Sequence, residues 1–133
     1  MPYVSATLQA AASPELTARV IGTLTDLTVE LLRKERARTT VVVQYVPGGQ
    51  WARGGAALAV RGYFVEVKVT AGTNLREDKA RYVREVNRVL QSLLGEASGY
   101  VAVEELAADS WGYTGVTQEL HYLNSKLPNG TTP

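Results

Sequence analysis

The chain has 133 residues, 45% of them apolar and 20% charged, which fits one ordinary domain and excludes a disordered or collagen-like chain. It has no cysteine and a single histidine, His121, so a disulfide scaffold, a thiolate metal site, a cysteine nucleophile and a multi-histidine metal centre are all excluded. Net charge is +1, split as +2 over residues 1–60 and −1 over 61–133, too little segregation for a general nucleic-acid binder.

Tyr3–Gln9 alternates Val4, Ala6 and Leu8 against Tyr3, Ser5 and Thr7 and reads as a first strand. Ser13 offers a helix N-cap, and Pro14 suits the first helical position, where its missing N–H costs nothing. The helix is expected to run from Pro14 to about Arg36, with Leu16, Val20, Leu24, Leu27 and Leu31 as its buried stripe. The basic run Arg33–Arg38 then closes the helix, where cations suit the dipole. β-Branched Thr39–Val46 reads as a strand that Pro47-Gly48-Gly49 breaks.

The plan then repeats. Tyr63–Val69 alternates like the first strand. Asn74 is expected to cap a helix from Leu75 to Leu94, striped by Val83, Val86, Leu90 and Leu93 and stopped by Gly95. Tyr100–Leu106 is the fourth strand. Trp51-Ala-Arg-Gly-Gly after one strand returns, sixty residues on, as Trp111-Gly-Tyr-Thr-Gly. The order β-α-β-β-α-β predicts an α+β fold of tandem β-α-β modules, a four-stranded mixed sheet with both helices on one face. The expected division is one domain over 1–133, its modules spanning about 2–60 and 61–123, with a polar tail from 124 to 133. A membrane partner is not expected, since no apolar stretch approaches the ~20 residues that span a bilayer. With no signal peptide at the start, the cytoplasm is the expected location.

Gly49-Gln-Trp-Ala-Arg-Gly-Gly lacks the Lys-Ser/Thr that completes a phosphate loop, so no nucleotide site is implied. His121 reads as a surface or interface residue. Pro2 carries more. Methionine before a small second residue is normally removed after synthesis, which leaves Pro2 as a secondary amine at the head of a strand. An α-amino group has a pKa of ~8, and apolar burial lowers it, so the amine can serve as a general base near neutrality.

Met1-Pro2-Tyr3-Val4 opening a strand, the Ser13-capped helix, the β-branched strand and Trp51-Ala-Arg-Gly-Gly together resemble the tautomerase superfamily. The resemblance is to 4-oxalocrotonate tautomerase and its longer fused relatives, and it extends to about residue 123. Val69-Thr-Ala-Gly-Thr-Asn74 and Trp111-Gly-Tyr-Thr-Gly carry it in the second half. It implies the tautomerase/MIF-like fold, an amino-terminal proline base, no metal or organic cofactor, carboxylate-bearing enol or keto acid substrates, and a homotrimer. The family's aromatic wall is retained as Trp51. The family's two arginines fall on Ala12 and Thr40, and the paired arginines of its dehalogenase and decarboxylase branches fall near Thr70 and Thr73. Tautomerisation is therefore favoured over those reactions.

Arg38 lies two residues before Thr40 and Arg53 lies beside Trp51, so either can replace a lost cation and fork a carboxylate. The expected enzyme is an isomerase that moves a proton between enol oxygen and carbon on a 2-hydroxy-dienoate or similar enol. Pro2 is its base, Trp51 excludes water, Arg53 or Arg38 binds carboxylate, and Tyr113 donates a hydrogen bond from the second module. The alternatives are an inactive member, a ferredoxin-like small-molecule-binding or assembly module, and a proline-dependent hydratase, dehalogenase or decarboxylase.

Overall fold

The computed structural model describes residues 1–126, and the expected tail beyond Lys126 lies outside them. Strand β1 (Tyr3–Leu8) leads into helix α1 (Pro14–Leu32) and strand β2 (Thr40–Tyr45). A small hairpin of β3 (Ala52–Arg53) and β4 (Ala56–Ala57) follows. Strand β5 (Arg61–Thr70), helix α2 (Arg76–Leu94), strand β6 (Ala97–Leu106) and the hairpin β7 (Gly112–Tyr113) and β8 (Val116–Thr117) repeat the plan. A third helix, α3 (Gln118–Ser125), comes last. The α+β class and the mixed four-stranded sheet match the expectation.

The sheet order is β2-β1-β5-β6. Each strand pair inside a repeat is parallel, as its helical crossover requires. The repeats meet through β1 and β5, which run antiparallel with Tyr3 opposite Lys68 and Leu8 opposite Tyr63. Val4, Ala6 and Leu8 from β1 and Tyr63, Val65, Val67 and Val69 from β5 all point into one core under the helices. The opposite face keeps Tyr3, Phe64 and Tyr100 exposed around the ion cluster of Lys68 with Glu66 and Glu104.

Ser13 caps α1 through its hydroxyl, which accepts from the Leu16 N–H at 3.2 Å. The helix stops at Leu32, four residues earlier than expected, because Arg33 turns left-handed at φ 56°. The Leu32 carbonyl is taken by the Asn74 side chain at 3.0 Å. Asn74 thus ties one repeat to the other, and the N-terminus of α2 is capped instead by Asp78, which accepts the Leu75 N–H at 2.9 Å. The basic run lies beyond the helix rather than in its last turn: Arg33 pairs with Asp78, Arg36 with Asp26 and Arg38 with Glu35. On α2 the buried stripe is Tyr82, Val86, Leu90 and Leu94, rotated from the expected one, and Val83 is exposed. The large apolar body of Tyr82 fills the helix–helix seam because its hydroxyl finds the Thr28 hydroxyl at 2.9 Å.

Candidate active site

Pro2 is buried at the head of β1, and its carbonyl accepts the Thr40 N–H at 3.1 Å, docking the chain start onto β2. A cavity of about 470 Å³ opens there, bounded by Pro2, Tyr3, Arg38, Lys68, Trp111 and Tyr113. Topology brings these groups together. Because β5 is antiparallel to β1, its Lys68 lies opposite Tyr3. Because β6 is parallel to β5, its far end delivers the β7–β8 hairpin to the start of β1. Trp111 is held by an indole N–H donated to the Thr70 hydroxyl at 3.3 Å, and the hairpin closes with Gln118 N–H on the Trp111 carbonyl at 2.9 Å.

Arg38 sits in a short 3-10 turn before β2, not on the strand, yet it borders the same cavity as Pro2 and Thr40. The terminal amine of Met1 is held below the ordinary amine value, first by burial, then by the Lys34 and Arg38 cations, with Glu35 opposing. The Gln118 side-chain carbonyl accepts from that amine at 3.4 Å. While Met1 is attached, the Pro2 nitrogen is a tertiary amide with no basic lone pair. Removal of Met1 converts it to a secondary amine at the edge of the cavity that Arg38 also borders.

Trp51 and Arg53 do not reach Pro2 within one chain. Strand β2 runs parallel to β1, so its hairpin leaves at the opposite end of β1, about 20 Å away for six residues at ~3.3 Å each. The Trp51 indole covers Gly62 there, so closely that a Cβ on Gly62 would come within 2.7 Å of the ring. Arg53 donates to the Ser98 hydroxyl. The groups that the sequence reading missed at Pro2 are Trp111, Lys68 and Gln118. The repeat held the signal for Trp111, since antiparallel repeats place the hairpin of one at the strand start of the other.

No family model and no curated protein matches the chain. Solved structures do. A native fused 4-OT aligns at a TM-score of 0.76 and 19% identity, over 88% of this chain and 96% of its own. The tautomerase fold is shown. A macrophage migration inhibitory factor-like protein from Entamoeba histolytica shares that fold at a TM-score of 0.74 and 19% identity, covering 87% and 97% of the two chains. A malonate semialdehyde decarboxylase inhibited by 3-bromopropiolate does so at 0.73 and 17%, covering 95% and 98%. Within the tautomerase fold, the residues around Pro2 carry the rest.

Proposed function

We propose that this chain is a tautomerase-superfamily isomerase that uses the Pro2 amine as its base. The observation that carries this reading is the burial of Pro2 at the head of a cavity that also holds Arg38, Lys68 and an aromatic wall. After Met1 is removed, the neutral amine takes the hydroxyl proton of a 2-hydroxy-dienoate. The enolate negative charge delocalises along the carbon chain, and the prolinium returns the proton to a distal carbon, so no proton is gained or lost. Arg38 holds the carboxylate in a charge-assisted pair. Tyr113 donates to the developing oxyanion, and Trp111 excludes water and keeps the amine neutral.

Proline-dependent decarboxylation is disfavoured by the side chains at the relevant corner. Thr70 accepts the Trp111 indole, and Thr73 accepts from Lys34 at 2.9 Å, so neither position offers an arginine fork. Assembly is part of the reading. One similar structure is described as a fused 4-OT symmetric trimer, and the uncovered sheet face of this chain suits a homotrimer. Trp51 and Arg53 can then serve Pro2 only from a neighbouring protomer. No helix among the described residues is long and apolar enough to cross a membrane, and a cytoplasmic site of action fits a small anionic enol or keto acid substrate.

The test begins with intact mass, which should show Met1 removed. Ketonisation of phenylenolpyruvate, followed by ultraviolet absorbance, should then fall well below wild type in Pro2→Ala. Unchanged activity removes Pro2 from the mechanism.

A further inference from the structure

Helix α3 is inside out. Gln118 is buried, and the i, i+3 spacing carries His121 and Asn124 onto the same inward side. Leu120, Tyr122 and Leu123 are exposed instead. Among the described residues neither ring nitrogen of His121 has a hydrogen-bond partner, and both are buried. The Asn124 amide nitrogen is in the same position. Buried polar groups without partners are uncommon and mark a missing ligand or water. A second cavity of about 790 Å³ lies against α3, bounded by His121, Tyr122 and Leu123, and Arg38 and Gln118 line both it and the Pro2 cavity. Both volumes lie in the range of small-molecule sites.

We infer that the second cavity is a distal subsite for the tail of the substrate, and that His121 hydrogen-bonds an uncharged polar group on that tail. This rests on the reading of Arg38 as the carboxylate anchor. The carboxylate end enters the Pro2 cavity, and the tail passes Gln118 into the space against α3. The tail group is uncharged because the cavity mixes signs: Arg38 is already paired with Glu35, and Glu119 also borders the space. A carboxylate there would face two carboxylates. An ammonium would face Arg38. An imidazole ring, with two nitrogens able to donate to or accept from a hydroxyl, suits such a group. The substrate class is thus a 2-oxo acid, or its enol, with a hydroxyl several carbons from the reacting centre.

Calorimetric titration of the full chain with Met1 removed tests this without turnover. The probes are straight-chain 2-oxo acids of six to eight carbons, each with and without a terminal hydroxyl. At the matching length, wild type should bind the hydroxylated acid roughly three- to tenfold more tightly. His121→Phe should lose that preference and keep its affinity for the unsubstituted acids, while His121→Gln should keep part of it, with thermal melts alike. Equal affinities within every pair in wild type, or an undiminished preference in His121→Phe, overturn the subsite. Absence of binding by every acid overturns it together with the role of Arg38. A preference that persists in protein unable to ketonise any enol leaves the subsite standing and refutes the proline chemistry.

Discussion

Arg38 is one of two cations, with Lys68, that one chain places at the Pro2 cavity, and it is held by Glu35 at 3.3 Å while still bordering the cavity. Loss of a charge-assisted hydrogen bond costs ~1.5–3 kcal/mol, roughly 10- to 150-fold. Arg38→Ala should lower kcat/KM for a carboxylate-bearing enol by about that factor in a steady-state assay, and affect a neutral enol much less. Equal losses on both would point to a folding defect. The same side chain acts on the chain's terminal amine. At Met1, the residue before Pro2, Arg38 and Lys34 both lower the amine pKa, and Glu35 raises it. Removing a cation favours the charged amine, so Arg38→Ala should also shift the acid limb of the kcat/KM profile to higher pH. Glu35→Gln should shift it to lower pH. A limb that stays fixed in both variants would detach it from the terminal amine.

At the scale of elements, Tyr82 locks α1 to α2. Its hydroxyl meets Thr28, whose own hydroxyl donates to the Leu24 carbonyl at 2.7 Å. Burial pushes the Tyr82 phenol from 10.0 up to about 12. The folded value lies above the unfolded one, so this stabilisation is complete below pH 10 and is lost as pH rises toward 12. Two units correspond to about 2–3 kcal/mol. Urea midpoints should fall across that window, and Tyr82→Phe should flatten the fall while costing ~1 kcal/mol at neutral pH. Most elements were legible because alternation and helical spacing mark which residues face the core, as in Val4, Ala6 and Leu8. The end of α1 was not, because Arg33 adopts a left-handed turn with no glycine to announce it. The stripe of α2 was misjudged because Tyr82 counts as core only once Thr28 supplies its partner. Helix α3 escaped notice because its leucines face outward while Gln118, His121 and Asn124 face inward.

At the scale of the whole molecule, the site was half legible. Pro2, Arg38 and Tyr113 do share a cavity. Trp51 and Arg53 could not be placed from sequence, since proximity in the chain says nothing about which end of the sheet a hairpin leaves from. The uncovered face bears Phe64 on the inner strand β5 and Tyr100 on the edge strand β6, with ring centroids 6.1 Å apart, and within one chain the edge strands β2 and β6 each keep an unpaired side. Light scattering at micromolar concentration should return a trimer, and a monomer would sink the proposed assembly. If Arg53 works across that interface, Pro2→Ala and Arg53→Ala proteins, each impaired alone, should regain activity when refolded together. Mixed trimers contain intact pairs of Pro2 and Arg53, so a mixture no better than its components confines each site to one protomer.

The second repeat has no proline where the first has Pro2. Near the corresponding strand start it has Gly62, with the Trp51 indole laid across it. Fusion explains why that end can be filled with side chains: a backbone nitrogen in mid-chain is an amide and can never be a free base, whatever residue occupies it. Doubling the scaffold in one polypeptide therefore halves the number of reactive termini per module. An electrophile that alkylates the proposed Pro2 amine should saturate at one label per chain and three per trimer. The end without a terminus is then free to change its side chains, except where Trp51 and Arg53 are proposed to reach a neighbouring protomer.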